Sequence, residues 1–292
     1  MHSLSAEADT KVLATKERIQ PKFSTPLKVT GSTPGSERSV VCIGTVEIGA
    51  GQPVVIAGPC SVESYEQTLA TAEAVKSAGA VILRGGAYKP RTSPYDFQGL
   101  GVEALEIMAR VRETTGLPVV SEVLSTDDID VVAEHVDMLQ VGARNMQNFA
   151  LLRRLGQLRK PILLKRSPAA TVKEWLLAAE YLLAGGNSQV VLCERGIRSY
   201  DPELRNTLDL AGMALARQLS HLPVIADPSH ATGRRDLIPA MSRAAFAAGA
   251  DGLMVEVHPD PANALSDGMQ SLDFPGFSNM MDMLFRGVGH NS

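Results

Sequence analysis

Eight short apolar runs recur from residue 53 onward, and they often end in a polar or charged residue. The runs are 54–57, 81–84, 119–123, 138–141, 162–165, 190–194, 224–227 and 253–256. Runs this short and this continuously apolar suit strands buried on both faces of a parallel sheet. Between them, segments 65–77, 102–114, 127–134, 148–158, 173–183, 204–219 and 236–248 carry apolar residues at helical spacing, and 275–285 supplies an eighth. Ser64 with Gln67, and Thr171 with Glu174, have capping-box spacing and mark two helix starts. Eight strand–helix units over about 230 residues predict an α/β chain folded as a single (β/α)8 TIM barrel. A doubly wound sheet is the alternative. It has fewer strands and often a GxGxxG turn after the first, which is absent here.

The remaining segments frame that barrel. Residues 1–39 are polar, with a weak helical pattern over 6–19 and prolines after it, and read as an extension that is partly disordered. Residues 40–52 alternate and then turn glycine-rich, which predicts a β-hairpin leading into the barrel of 53–285, with 286–292 as a tail. The net charge of −4 argues against a nucleic-acid-binding surface. Three widely spaced cysteines, Cys42, Cys60 and Cys193, argue for a reducing compartment rather than a disulfide framework. No apolar run approaches the roughly 20 residues of a membrane span, and no signal-peptide pattern opens the chain, so a cytoplasmic location is expected.

In a barrel of this kind, functional groups sit at the C-terminal ends of the strands. Here those ends supply Cys60, Arg84 with Lys89 and Arg91, Glu122, Arg144, Lys165, Arg195, Asp227 with His230, and Glu256. A single Arg or Lys is usually a solvated surface charge. Six that converge on one mouth repel one another unless an anion lies between them. Six exceed the needs of one phosphate and predict two anionic groups, hence two phosphorylated small-molecule substrates. Cys60, His230, Glu256 and Asp267 offer one sulfur, one nitrogen and two oxygen donors. That set is too hard for a structural zinc site and suits Mn2+, Fe2+, Co2+ or Zn2+ with an open position. His258 is the weaker ligand candidate, His135 and His221 fall at helix ends, and Cys193 reads as core.

The motifs at these ends are IAGPCSVES at 56–64, LRGGAYKPRTSPYDFQGLG at 83–101, LQVGARNMQNF at 139–149, LLKR at 163–166, LCERGIR at 192–198, DPSHATGRRDL at 227–237 and VEVHPDPANALSDG at 255–268. Together they resemble the type I-beta 3-deoxy-D-arabino-heptulosonate 7-phosphate (DAHP) synthases over residues 40–277. The resemblance implies a metal-dependent condensation of phosphoenolpyruvate with erythrose 4-phosphate, the first step of the shikimate pathway. It places the metal, Mn2+ first among the candidates, on Cys60, His230, Glu256 and Asp267. It places phosphoenolpyruvate on Arg84, Lys89, Arg144, Lys165 and Arg195, and the aldose phosphate on Arg91, Thr92 and Ser93, with Asp227 near its hydroxyls. Glu122 is implied to position water or phosphoenolpyruvate, and Lys89 to give a proton to the new alkoxide. The resemblance further implies a homotetramer or homodimer.

Two alternatives stand beside this. The related 3-deoxy-D-manno-octulosonate 8-phosphate synthases use arabinose 5-phosphate, and typically carry a KANRSS-like loop where this chain has KPRTS at 89–93. The other alternative is a catalytically silent regulatory barrel. Ala231 stands where the family commonly has Gly, and 165–175 and 198–210 depart from its usual wording, which leaves room for a secondary-metabolite paralogue. Residues 1–39 are too few for a fused regulatory domain. Feedback control is therefore expected to come, if at all, through a separate partner such as a chorismate mutase.

Overall fold

The computed structural model of the protein describes residues 27–30 and 38–285. The helix expected over 6–19 and the tail 286–292 lie outside the described residues. Two strands, β1 (Val41–Ile43) and β2 (Val46–Ile48), pair as an antiparallel hairpin in the register Val41↔Ile48. The next eight are β3 (Val54–Gly58), β4 (Ile82–Arg84), β5 (Val119–Val123), β6 (Met138–Val141), β7 (Ile162–Lys165), β8 (Val190–Glu194), β9 (Val224–Ala226) and β10 (Gly252–Glu256). They form a closed barrel in chain order, with β10 returning to β3 in parallel from Gly252↔Val54 to Glu256↔Gly58. The α/β barrel expected from the run spacing is therefore the fold.

Both faces of the strands are buried, which explains runs without polar alternation. Val54 and Ile56 face the barrel interior with Ile82, Val120, Met138, Leu163, Val191, Cys193, Ile225 and Met254. Val55 and Ala57 face outward into the layer beneath the helices. Side chains of alternate strand positions fill the interior, so it is a packed core and not a pore. The hairpin completes it: Val41, Ile43 and Ile48 belong to the same interior cluster and plug one end of the barrel. Ahead of the hairpin, buried Val29 and Lys28 give their backbone N–H groups to Glu180 (2.8 and 3.1 Å). His221 Nε2 donates to Lys28 O at 3.0 Å and its Nδ1 accepts from Ser39 Oγ at 2.7 Å, so this histidine ties the entering chain to the barrel.

The helices are α1 (Tyr65–Ser77), α2 (Val102–Thr115), α3 (Ile129–His135), α4 (Phe149–Leu155), α5 (Val172–Ala184), α6 (Leu210–Leu219), α7 (Pro228–Thr232), α8 (Ile238–Ala247) and α9 (Phe274–Phe285). Thr171 and Glu174 form the full reciprocal capping box of α5. Ser64 forms only half of one, since the Gln67 side chain turns to Glu63 N instead. The helix expected over 204–219 is shorter, because α6 starts only at Leu210. Asp209 caps it by accepting from Gly212 N at 2.7 Å. Upstream, the backbone amides of Arg205, Asn206 and Thr207 bond to Thr232, Ala231 and Ile197 rather than along a helix. A helical pattern cannot reveal such long-range backbone partners. Among the described residues, no helix is long and apolar enough to cross a membrane.

Ile48 is fully buried in the plug. An Ile48→Ala variant should lose about 2–5 kcal/mol of stability. Urea unfolding will show this as a lower midpoint at unchanged slope; an unmoved midpoint would mean the hairpin contributes nothing to closure.

Candidate active site

The C-terminal ends of the barrel strands open into one cavity of about 670 Å³. It is lined by Arg84, Lys89, Arg91, Arg144, Lys165 and Arg195, the six cations read from the strand ends, and by Thr92, Glu122, His230 and Asp267. Ser93 does not line it; its backbone oxygen accepts from Gln98 instead. Cys60, Asp227 and Glu256 lie beneath the floor, each no more than 2% exposed. Six further polar groups were not legible as site residues: Asp96, Gln140, Ser167, Arg198, Arg205 and Asn206. Arg198 carries a weak signal, three residues beyond Arg195. Arg205 and Asn206 fall where the periodicity predicts helix.

The floor is a continuous chain of opposite charges. Lys165 Nζ donates to Asp227 Oδ2 at 2.6 Å, and His230 Nδ1 lies 2.7 Å from that same oxygen, out of line for a hydrogen bond. His230 Nε2 is 3.3 Å from Glu256 Oε1, which also pairs with Arg84 Nη1. Asp227 reaches this position because it ends β9 and caps α7: it accepts from His230 N at 3.0 Å, and Pro228 starts the turn. That five-residue turn swings His230 back over the floor. Burial would raise the Asp227 carboxyl, but His230 and Lys165 more than reverse this and hold it well below the usual range. Burial likewise opposes ionisation of Glu256, yet His230, Arg84 and Lys89 keep it far below the carboxylate norm. Burial lowers His230, with Asp227 and Glu256 opposing, so the imidazole is held neutral more readily than in water.

Lys89 stands at the other edge. Its Nζ lies 2.9 Å from Cys60 Sγ and donates to Cys60 O at 3.1 Å. Burial, then Glu256, pushes the Cys60 thiol up to about 11, against the pull of Lys89 and Arg84. Two glycines let this machinery close up. A Cβ at Gly86 would sit 2.6 Å from Cys60 O and 2.9 Å from Lys89 Cδ. One at Gly142 would sit 2.0 Å from Glu122 Oε1, on the carboxylate that accepts from Gln140 at 3.0 Å.

Donor atoms of Cys60, Glu256 and Asp267 all lie within 4.8 Å of one another. Asp267 is the one non-glycine residue with positive φ (49°) among the described residues. Such strain is tolerated by Asp and concentrates at functional positions. A proton on His230 Nδ1, facing Asp227, leaves the Nε2 lone pair aimed at the Glu256 carboxylate. A neutral imidazole and a thiol beside two carboxylates offer a cation more lone pairs than Arg84 alone engages. Cys60, Glu256 and Asp267 therefore fit a divalent metal, and His230 adjoins this group through its Nε2, 3.3 Å from Glu256 Oε1. His258 takes no part: Nε2 is 3.3 Å from Glu63, and Nδ1 accepts from Asp260 N.

The sequence model of the DAHP synthetase I family matches residues 24–285. The chain belongs to that family. It is 50% identical over 256 residues to the phospho-2-dehydro-3-deoxyheptonate aldolase of Thermotoga maritima, covering 88% of its own length and 76% of the relative's. It is 35% identical to the 2-dehydro-3-deoxyphosphooctonate aldolase of Acidithiobacillus ferrooxidans over 73% of its length and 82% of the relative's. The crystal structure of the Thermotoga maritima DAHP synthase superposes with a TM-score of 0.83 at 49% identity, over 86% of this chain and 73% of that one. A truncated form of that enzyme gives 0.80 at 46% identity over 86% and 92%.

Asp227 carries a pH signature. A depressed carboxyl stabilises the fold fully above its unfolded value of 3.8, and that contribution is lost as pH falls toward its folded value. Asp227→Asn keeps a cap but leaves Lys165 buried without its partner, costing about 3–5 kcal/mol at neutral pH. In unfolding titrations, the gap to wild type should be full above about pH 4 and close below it. A gap that stayed constant down to pH 2 would contradict the pairing.

Proposed function

We propose that the chain condenses phosphoenolpyruvate with erythrose 4-phosphate to give DAHP and phosphate. The observation that carries this is one cavity ringed by cations and floored by a sulfur–oxygen donor set, with His230 Nε2 3.3 Å from one of its carboxylates. The family, and the higher identity to the heptonate aldolase than to the octonate aldolase, favour erythrose 4-phosphate as the acceptor. The KPRTS loop at 89–93 points the same way. The silent-barrel alternative is disfavoured by the six cations at the mouth and by the Cys60, Glu256 and Asp267 donors beneath it.

A divalent cation on Cys60, His230, Glu256 and Asp267, with Mn2+ the first candidate, would supply Lewis-acid polarisation of the aldehyde oxygen. Arg84, Lys89, Arg144, Lys165 and Arg195 hold phosphoenolpyruvate, whose carboxylate and phosphate neutralise cations that otherwise repel one another. Arg91, Thr92 and Ser93 take the aldose phosphate. Arg91 must exchange Asp96, 3.4 Å away, for that ligand. Ser93 joins only if the 89–98 loop shifts toward the cavity. With both anions fixed, C3 of the enol approaches the aldehyde carbon as an intramolecular neighbour would. Lys89 keeps its proton in the resting site: burial lowers it, but Cys60 and Glu256 raise it more. It gives that proton to the alkoxide formed at the aldehyde oxygen. Glu122, braced by Gln140 and Gly142, orients the water that adds at C2, after which the C–O bond to phosphate breaks. Asp227 lies beneath the floor and meets the aldose hydroxyls only if its pair with Lys165 opens.

The test follows phosphoenolpyruvate loss by absorbance, using metal-stripped protein with and without Mn2+. Consumption is expected only with Mn2+ and erythrose 4-phosphate. Consumption with arabinose 5-phosphate alone would move the chain to the octulosonate reaction. Lys89→Ala should lower kcat by about 10²–10⁴-fold, as removal of a general acid does; near-normal turnover would remove Lys89 from that role.

A further inference from the structure

Behind the donor set, two side chains do nothing for either substrate as assigned above. Gln270 follows Asp267 by three residues and is only 3% exposed. Its Nε2 donates to Glu256 Oε2, the carboxylate oxygen not engaged by Arg84 and His230. Its Oε1 accepts from Arg205 Nη1 at 2.7 Å. That same Nη1 lies 3.5 Å from Asp267 Oδ2. Arg205 lines the cavity, on the loop that replaces the expected start of α6. One guanidinium thus touches a carboxylate of the donor set directly, touches a second through a buried amide, and faces the space where anions bind.

We propose that Gln270 and Arg205 are positioning residues that couple occupancy of the anion cavity to divalent-cation affinity. Gln270 orients the Glu256 carboxylate, since a fixed donor on one oxygen sets where the other points. Arg205 competes with the cation for Asp267. A guanidinium 3.5 Å from a carboxylate neutralises part of the charge that a metal would use. An anion that draws Arg205 into the cavity releases that charge to the cation. Linkage makes the effect reciprocal: the cation strengthens anion binding by the same factor. The inference rests on reading Cys60, His230, Glu256 and Asp267 as a cation site, but not on which aldose the enzyme uses.

The experiment is calorimetric titration of Mn2+ into metal-stripped full-length protein, with and without saturating phosphoenolpyruvate, for wild type, Gln270→Met and Arg205→Ala. Wild type is expected to bind Mn2+ at least about fivefold more tightly with phosphoenolpyruvate present. Gln270→Met should weaken Mn2+ binding about 10- to 100-fold in either condition. Arg205→Ala should bind Mn2+ more tightly than wild type without the anion and lose the dependence on it. Arg205→Lys, which keeps the charge, should restore part of that dependence. Wild-type affinity in Gln270→Met, or an Arg205→Ala protein that keeps the full anion dependence, overturns the proposal; the latter would mean the anion acts by binding the metal itself. Failure of wild type to bind Mn2+ at all is a different result, and would overturn the cation site.

Discussion

The burial of charge beneath the barrel mouth is the constraint on which the rest of the site depends. Arg84, Glu256, Asp227 and Lys165 are almost wholly removed from water, so each ion needs a partner within hydrogen-bonding reach, and His230 stands between the two carboxylates. They come from four different strand ends, and only the closed barrel brings those ends together. Removing any one strands its neighbours as unpaired buried charges. The floor is therefore both a stability risk and the reason the site has one geometry.

A second network stands behind it. Arg166 Nη1 donates to Glu194 at 3.0 Å and to Asp209 at 2.8 Å, and Glu194 accepts from Gly196 N at 2.6 Å. Burial raises the Glu194 carboxyl, while Arg166 and the Gly196 amide work against it. This arrangement fixes the backbone on either side of Arg195, and it pins the cap of α6 to the end of β8. The cavity's cations are thus held by residues that never face the ligand. Repulsion among the cations is supported by a rigid frame and is relieved when anions bind.

The two ends of the barrel do different work. One is sealed by apolar side chains of a hairpin and carries no charge chemistry in its plug. The other concentrates polar groups around a water-accessible cavity. Rigidity at the sealed end lets strand ends at the open end hold side chains in place. Variation in the connecting loops, such as 89–98 and 196–209, then changes the ligand without changing the scaffold.

Much of this was legible in the sequence. Strands buried on both faces must be short and continuously apolar, so their number and spacing specified the barrel, and a barrel dictates where functional groups stand. That logic led to the cations of the mouth and to Cys60, Glu256 and Asp267, whose donor atoms the fold brings together. Three features were decided only by tertiary structure. Arg205 and Asn206 reach the mouth because their backbone amides find partners around Thr232 and Ala231, a choice that local periodicity does not encode. Arg84, Lys89 and Lys165 turn toward Glu256, Cys60 and Asp227 because burial forces each cation onto the nearest acceptor. Gln270 bridges Arg205 to Glu256 because a buried amide must satisfy both its ends. Sequence specifies which groups arrive at the site, because strand periodicity is a local property. Which group each one pairs with is decided by distances across the closed barrel, which no local pattern contains.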